Sequence, residues 1–99
     1  MAYSLFFHKF FIHQWDNYGE DDRRLIQSKL ALVKQNPFRF PTHTGYKRVH
    51  KVKLNVEGKY QRLMYVVFQP DNQSVTVLGV FERSKDYKDF ERIFSDLRK

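Results

Sequence analysis

The sequence contains no cysteine and no long apolar run, and both absences narrow the kinds of protein it can encode. Without cysteine, neither a disulfide framework nor a thiolate zinc site can form, and a reducing cytosol becomes the expected compartment. The N-terminal stretch MAYSLFFHKFFIHQWD is interrupted by His8, Lys9 and His13, so it lacks the uninterrupted apolar core of a signal peptide. No stretch approaches the ~20 apolar residues that a membrane-spanning helix needs. We therefore expect a cytoplasmic protein with no membrane anchor.

Large aromatic side chains make up much of the apolar content of this short chain. Its 99 residues are 41% hydrophobic and include ten phenylalanines, six tyrosines and one tryptophan. This length suits one domain rather than two, and it limits how much surface a single core can bury. Because each aromatic ring buries a large area, a few of them can supply most of a small core. The sequence thus predicts one folded domain over residues 1–99.

Positive charge is concentrated in the middle of the chain. The formal net charge is +7. Residues 41–62 carry six lysines and arginines against one acid, whereas residues 1–40 carry six against four and residues 63–99 carry six against six. Such a patch indicates a polyanionic partner or an acidic protein surface. A solvated strand face that binds nothing is the alternative explanation.

The first third of the sequence predicts a short strand followed by two helices. Residues 2–7 can form the strand, and aromatic residues then recur at helical spacing from Phe7, which predicts a helix over residues 8–18. A broad apolar stripe predicts a second helix over residues 21–35, which Pro37 prevents from continuing. The link between the two helices is short, so we expect a helical hairpin.

The rest of the chain predicts a strand meander and a final helix. Alternating apolar residues predict strands over residues 49–56, 60–68 and 75–81, with a tight turn at Gly58 between the first two. Strands joined by tight turns are antiparallel. An apolar stripe over residues 85–98 predicts the last helix. The expected fold is α+β, a small antiparallel sheet with an N-terminal helical hairpin packed on it and a C-terminal helix, all helices lying on one face.

Two lysines of the basic strand point to the same side. Alternation turns Val52 toward the core and places Lys51 and Lys53 together on the opposite side, ~7 Å apart. Counting back from the turn brings Arg62 of the next strand near Lys53 or Asn55. Like charges this close repel one another, and a phosphate between them would relieve the repulsion and accept bidentate hydrogen bonds from the guanidinium.

Crowded cations can also serve acid–base chemistry. Neighbouring cations disfavour the ammonium form, so the pKa of a lysine in such a group is expected to fall toward neutrality, where it can act as a general base. Metal-free ribonuclease chemistry needs such a base for the ribose 2′-hydroxyl, cations that stabilise charge on the phosphate, and an acid for the leaving 5′-oxygen. Simple anion binding explains the same spacing, and the residues alone leave both explanations open.

Four stretches of the chain resemble the RelE/ParE superfamily of toxins from type II toxin–antitoxin systems. They are AYSLFFHKF…QW near the start, KLALVKQNP at the end of the second helix, GYKRVHKVKLNVEGKYQRLMYVV in the sheet and VTVLGVFERSKDY before the last helix. The resemblance covers nearly the whole chain and is strongest to the RelE branch, whose members cut mRNA in the ribosomal A site. It implies a RelE-like fold and a ribosome-dependent, metal-independent endoribonuclease that uses no cofactor.

The resemblance implies a catalytic role for five residues. It assigns Lys51 and Lys53 to the 2′-hydroxyl and the phosphate, and Arg62 to stabilising the phosphate. Arg83, after the last strand, corresponds to a general acid or charge-stabilising residue. Tyr87, at the start of the final helix, corresponds to a tyrosine that orients the substrate by stacking. Core packing for Tyr87 and a surface ion pair for Arg83 are the alternatives.

Five further residues around the basic strand are expected to contact RNA. They are Tyr46, Lys47, Arg48, His50 and Lys59. Alternation places His50 on the side of Val52, away from the lysines, which favours a structural role for it. Tyr46 and Lys47 can instead simply begin the strand. His43 has too few ligands nearby for a zinc site, and an RNA contact is left open for it.

The resemblance also implies partners. They are a cognate antitoxin that wraps the toxin with a helix or an added strand, mRNA on the ribosome, and ribosomal RNA. A ParE-like inhibitor of DNA gyrase shares the expected fold, although those relatives lack the lysine-rich strand. An inert anion-binding module of the same fold is a further alternative. No metal is expected as a partner.

Overall fold

A computed structural model of the chain describes residues 3–46, 48–67, 73–82 and 87–97, without the side chains of Tyr87, Asp89, Asp96 and Leu97. Its elements follow one another in the predicted order. They are β1 (Ser4–Phe7), α1 (Lys9–Asn17), α2 (Glu20–Gln35), β2 (Val49–Val56), β3 (Lys59–Val67), β4 (Ser74–Phe81) and α3 (Tyr87–Leu97). Among these described helices, none is both long and apolar enough to cross a membrane.

The two N-terminal helices begin with recognisable local signals. The Nδ1 atom of His8 accepts a hydrogen bond from the backbone N–H of Phe10 at 3.0 Å, which caps the first turn of α1. The first turn of α2 contains three acids, where the positive end of the helix dipole favours negative charge. They are Glu20, Asp21 and Asp22. Each helix thus starts where the sequence satisfies its first backbone N–H groups or complements its dipole.

The strands form one four-stranded sheet in the order β1-β4-β3-β2. β2, β3 and β4 are antiparallel neighbours, which confirms the predicted meander. β1 pairs with β4 in parallel, from Ser4 opposite Ser74 to Phe7 opposite Val77. This parallel pairing was not predicted, because hydrophobic alternation identifies a strand but does not name its partner.

The sheet carries an apolar cluster on each face. On the hairpin face, α1 and α2 pack against alternate strand residues, which include Val52, Leu54, Val56, Leu63, Tyr65 and Val67. On the α3 face, that helix packs against the residues between them, which include Val49, Met64, Val66, Leu78 and Phe81. The expectation that all helices lie on one face is therefore wrong for α3. β3 is buried on both sides from Leu63 to Val67, so both faces need cover.

A glutamine side chain completes the edge of β4 beyond the end of β1. The Gln14 amide donates to the carbonyl oxygen of Val80 at 2.7 Å and accepts from the Val80 N–H at 2.8 Å. These bonds satisfy backbone groups that a neighbouring strand would otherwise pair. The close approach of α1 requires a glycine here, since a Cβ at Gly79 would lie 2.7 Å from Phe10 Cδ2 and 2.9 Å from Gln14 Oε1.

The loop before β2 lies along the outer edge of that strand. The Lys51 N–H donates to the carbonyl oxygen of Pro41 at 3.0 Å. The His43 N–H donates to the carbonyl oxygen of Val49 at 2.8 Å. These two bonds cover part of an otherwise open sheet edge and fix His43 beside the first residues of β2.

Replacing Gly79 with alanine is expected to lower the free energy of unfolding by about 1–3 kcal/mol, because the new methyl group enters space that Phe10 and Gln14 occupy. Urea unfolding of the purified variant measures the change. Gly19→Ala is the matched control, since a Cβ at Gly19 meets no heavy atom within 4 Å. Its loss should stay below about 1 kcal/mol, the usual effect at a helix N-cap. Equal losses in the two variants would contradict the close packing at Gly79.

Candidate functional site

Three predicted cations lie together on the α3 face of the sheet. The β2–β3 pairing places Lys53 opposite Arg62, one of the two positions that counting from the turn predicted. Lys51 lies two residues away on the same strand, opposite Met64. Residues directly opposite across antiparallel strands have Cβ atoms about 4.5–5.5 Å apart, and alternate residues of a strand share a face. The two strands therefore bring all three positive charges to one area.

These cations border an apolar surface. Met64 and Phe81, which lie opposite Lys51 and Arg62 across the strands, are fully buried on the same face. Lys51 and Arg62 are half-buried, whereas Lys53 is exposed. The Nε atom of Arg62 is buried and makes no hydrogen bond within the part of the chain that the structure describes. An anion bound at this guanidinium could accept charge-assisted hydrogen bonds from it.

His43 reaches the same face from the loop before β2. Its ring stacks on Tyr46, with the ring centroids 5.4 Å apart and the planes 21° from parallel. The ring of Phe90 in α3 meets it edge-on, with centroids 5.4 Å apart. His43 is thus packed between its own loop and α3, and the hydrogen bond from its N–H anchors it to β2.

Electrostatic interactions link the His43 imidazole to two of the three cations. Burial lowers the pKa of its imidazole from the usual value of 6.5, and the positive charges of Lys51 and Arg62 lower that pKa further. The carboxylate of Glu91 in α3 acts in the opposite direction. The imidazole is therefore neutral at pH 7. We call Lys51, Lys53, Arg62 and His43 the cationic site. Sequence reasoning left an RNA contact open for His43 but did not place it beside the lysines, because a loop residue has no periodicity that reveals its neighbours.

Tyr46, which was predicted to contact RNA, packs between His43 and helix α3. The rings of Phe90 and Phe94 meet its ring edge-on, with centroids 5.2 Å and 5.0 Å apart. These contacts fasten the loop to α3 and hold the ring on which His43 stacks. A contact between Tyr46 and RNA stays a prediction.

His50 lies on the hairpin face, away from the cationic site. Its side chain is 6% exposed, and its Nδ1 atom lies 2.7 Å from the carbonyl oxygen of Phe40. Its ring also stacks on that of Tyr65, with centroids 5.3 Å apart. A side chain buried in this way does not reach an RNA bound over the lysines, so we withdraw the prediction that His50 binds RNA. The structural role that alternation favoured fits this placement.

Two other predicted RNA contacts also lie outside the cationic site. Lys59 pairs with Val56 on the hairpin face, and its ammonium forms an ion pair with Glu82 at 3.1 Å. Arg48 is exposed and lines a groove with His50 and Val67, both of which belong to the hairpin face. RNA contacts at Lys59 and Arg48 stay predictions, but they would involve a different part of the surface.

The structure does not describe the side chains of the three remaining predicted residues. Lys47 and Arg83 lie outside the described residues. Tyr87 is the first residue of α3, one turn before Glu91, but its side chain is not described. The roles that the family resemblance implies for these three residues stay predictions.

The cationic site combines the groups that phosphate chemistry uses. A guanidinium offers a planar fork of donors for phosphate oxygens, and an ammonium supplies a compact positive charge. A neutral imidazole can accept a proton near pH 7. Like charges directly opposite on neighbouring strands are unfavourable in the free protein, so the pair of Lys53 and Arg62 favours an anion as its ligand.

Inorganic phosphate is expected to stabilise the protein through this site. At ten times its Kd, a ligand that binds only the folded state adds about 1.4 kcal/mol to the free energy of unfolding. Thermal unfolding in phosphate and in chloride at equal ionic strength measures the effect. Arg62→Gln should remove most of it, whereas Lys34→Gln, which removes an exposed charge on α2, should retain it. Equal phosphate effects in both variants would show that the anion binds elsewhere.

Solved structures with a similar fold are RelE toxins. A chain of the intact E. coli RelBE toxin–antitoxin complex is 27% identical, with a TM-score of 0.71 over 85% of this chain and 100% of that chain. The isolated E. coli RelE toxin is 29% identical, with a TM-score of 0.69 over 92% of this chain and 97% of that chain. A chain of the archaeal RelE–RelB complex from Pyrococcus horikoshii OT3 is 14% identical, with a TM-score of 0.63 over 86% and 99%, which supports the fold alone.

The sequence matches no protein-family model and no curated protein. The structural comparisons nevertheless confirm the resemblance that the four sequence stretches carry. This chain has a RelE-like toxin fold, with a mostly antiparallel four-stranded sheet, two N-terminal helices and a C-terminal helix.

Proposed function

We propose that this protein is the toxin of a type II toxin–antitoxin system and that it cleaves mRNA on the ribosome without a metal ion. The observation that carries the proposal is the β2–β3 pairing, which sets Lys51, Lys53 and Arg62 on one face of a RelE-like fold. Similarity to E. coli RelE chains at 26–29% identity supports the same class of activity.

The proposed reaction uses the RNA's own 2′-hydroxyl as nucleophile. A base removes the 2′-hydroxyl proton while the 2′-oxygen forms a bond to the adjacent phosphorus, and the bond from phosphorus to the 5′-oxygen breaks. The leaving 5′-oxygen takes up a proton, and Arg83 is proposed either to donate that proton or to stabilise the charge on the oxygen. The products are a 2′,3′-cyclic phosphate and a 5′-hydroxyl. Tyr87 would orient the substrate by stacking on a base.

The three cations stabilise this reaction through charge. Negative charge grows on the phosphate oxygens and on the attacking oxygen in the transition state, and fixed positive groups lower its energy. Lys51 and Lys53 act on the 2′-hydroxyl and the phosphate, and Arg62 binds the phosphate. Apolar neighbours such as Met64 and Phe81 restrict water on one side, which strengthens these interactions.

The proposed partners are a cognate antitoxin, the ribosome with its mRNA, and ribosomal RNA. One of the similar chains comes from the intact E. coli RelBE toxin–antitoxin complex, which supports the first. Exposed Phe7 and Ile12 line an apolar groove with Phe11 and Trp15, a surface of the kind that a partner covers. The excess of basic residues supports docking on ribosomal RNA, with an affinity that falls as salt rises.

A ParE-like gyrase inhibitor is the second candidate function, and an inert anion-binding module is the third. The lysine-rich strand favours the nuclease over a gyrase inhibitor, because ParE-like relatives lack it, whereas an anion-binding module would carry the same pair of Lys53 and Arg62. Brief induced expression followed by mapping of RNA 5′ ends separates the three. A nuclease gives codon-phased cuts in translated mRNA, a gyrase poison gives broken DNA with intact mRNA, and an inert module gives neither.

Lys53→Ala and Arg62→Ala are each expected to relieve growth arrest on induction, because each removes a positive charge that the transition state needs. Neither should change the free energy of unfolding by more than about 0.5 kcal/mol, the usual range for surface substitutions. Growth curves and thermal unfolding of the purified variants measure the two effects.

Two further variants sharpen this test. Lys34→Ala removes an exposed lysine on α2 and should leave toxicity intact. Arg62→Lys keeps the charge but loses the bidentate fork, so it should be intermediate. Undiminished toxicity in the Lys53→Ala, Arg62→Ala double variant would rule out this site.

A further inference from the structure

In the proposed reaction, a group of the cationic site must accept the proton of the ribose 2′-hydroxyl. An arginine side chain is protonated at neutral pH and offers no acceptor, so it cannot take up this proton. A lysine ammonium also lacks a lone pair, so it must first lose its own proton before it can accept another. The acceptor should therefore be a group of this face that is already unprotonated at neutral pH.

His43 meets that requirement by position. Its backbone is fixed to β2 through the bond to the Val49 carbonyl, two residues before Lys51. Its ring is held on one side by Tyr46 and at its edge by Phe90. The imidazole thus occupies a defined place at the border of the cationic site, supported by the loop, β2 and α3 together.

The charges around the ring keep it ready to accept a proton. Lys51 faces it from β2 and Arg62 from β3, and both disfavour the imidazolium, as does burial. Glu91 faces it from α3 and favours the imidazolium. When RNA binds, the negative phosphate partly offsets the two cations, which makes the imidazole a stronger base at the moment it is needed.

We propose that His43 is the general base of this site, a role that rests on the proposed nuclease function. The Nε2 atom of the imidazole takes the proton of the ribose 2′-hydroxyl as the 2′-oxygen bonds to phosphorus, because Nδ1 is buried. The electron pair of the breaking bond leaves with the 5′-oxygen, which takes up a proton from the acid of the site. Lys51 and Lys53 then remain ammonium groups that stabilise the oxyanions, and His43 returns its proton to solvent after the product leaves.

The first test is the pH dependence of single-turnover mRNA cleavage on programmed ribosomes. For the unmodified protein the rate should fall tenfold per pH unit below the pKa of His43 and level off above it. His43→Gln should cleave 10²–10⁴-fold more slowly at pH 7.5, a typical loss for a general base, and should lack that acidic decline. His13→Gln, at an exposed position of α1, is the matched control and should match the unmodified protein throughout.

The second test separates a base from a merely structural residue. Glu91→Gln removes the charge that raises the pKa of His43, so the acidic decline should move to lower pH while the plateau rate is kept.

A single-stranded oligonucleotide with 2′-deoxyribose at the cleavage site cannot react. Its affinity for the ribosome-bound protein should change less than threefold in His43→Gln, because the base acts on the chemical step.

The outcomes distinguish the two proposals. No cleavage by the unmodified protein at any pH would reject the nuclease function itself. Cleavage by the unmodified protein with an unchanged rate and pH profile in His43→Gln would reject His43 as the base and leave the nuclease standing. If the cleavage rates of the unmodified protein and of His43→Gln both keep rising above pH 8, the base that accepts the 2′-hydroxyl proton is a lysine and not His43. Loss of oligonucleotide binding or of the thermal transition in His43→Gln would assign His43 a structural role.

Discussion

The central constraint of this structure is the position of β3 between β2 and β4 with apolar side chains on both of its faces. Residues from Leu63 to Val67 are all buried, so the sheet needs cover on two sides, which α1 and α2 provide on one and α3 on the other. The short turn at Gly58 and the alternation of β2 set the register between β2 and β3, because a one-residue shift of β2 would turn Lys51 and Lys53 toward the core. The register in turn sets Lys53 opposite Arg62.

The same constraint explains how a small domain holds like charges close together. The repulsion between Lys53 and Arg62 is unfavourable by itself, but each strand is held in place by buried neighbours such as Val52 and Leu63. The charges therefore cannot separate by moving the backbone, and a bound anion would relieve their repulsion instead. Burial of the apolar core thus keeps Lys53 and Arg62 opposite each other, although their charges alone would favour separation.

Much of the fold could be predicted from sequence because its signals are local. Strand alternation located β2 with the observed bounds, and helical spacing, apolar stripes and Pro37 located the helices within two residues. The pairing of Lys53 with Arg62 followed from the short turn at Gly58, since a two-residue connection leaves little freedom of register. Contacts between distant segments could not be predicted in the same way. Packing between elements far apart in sequence decides the parallel partner of β1, the face of the sheet that α3 covers and the position of His43.

The sequence by itself therefore determined the elements, their order and the side to which Lys51 and Lys53 point, because periodicity and turn chemistry act between near neighbours. Only the tertiary structure decided which other groups share that side. It brought His43 to the cations through a loop hydrogen bond and an aromatic cluster with Tyr46 and Phe90, and it buried His50 on the opposite face. Such contacts form because the two faces of β3 must both be covered, and no local sequence pattern indicates which loop or aromatic ring covers them.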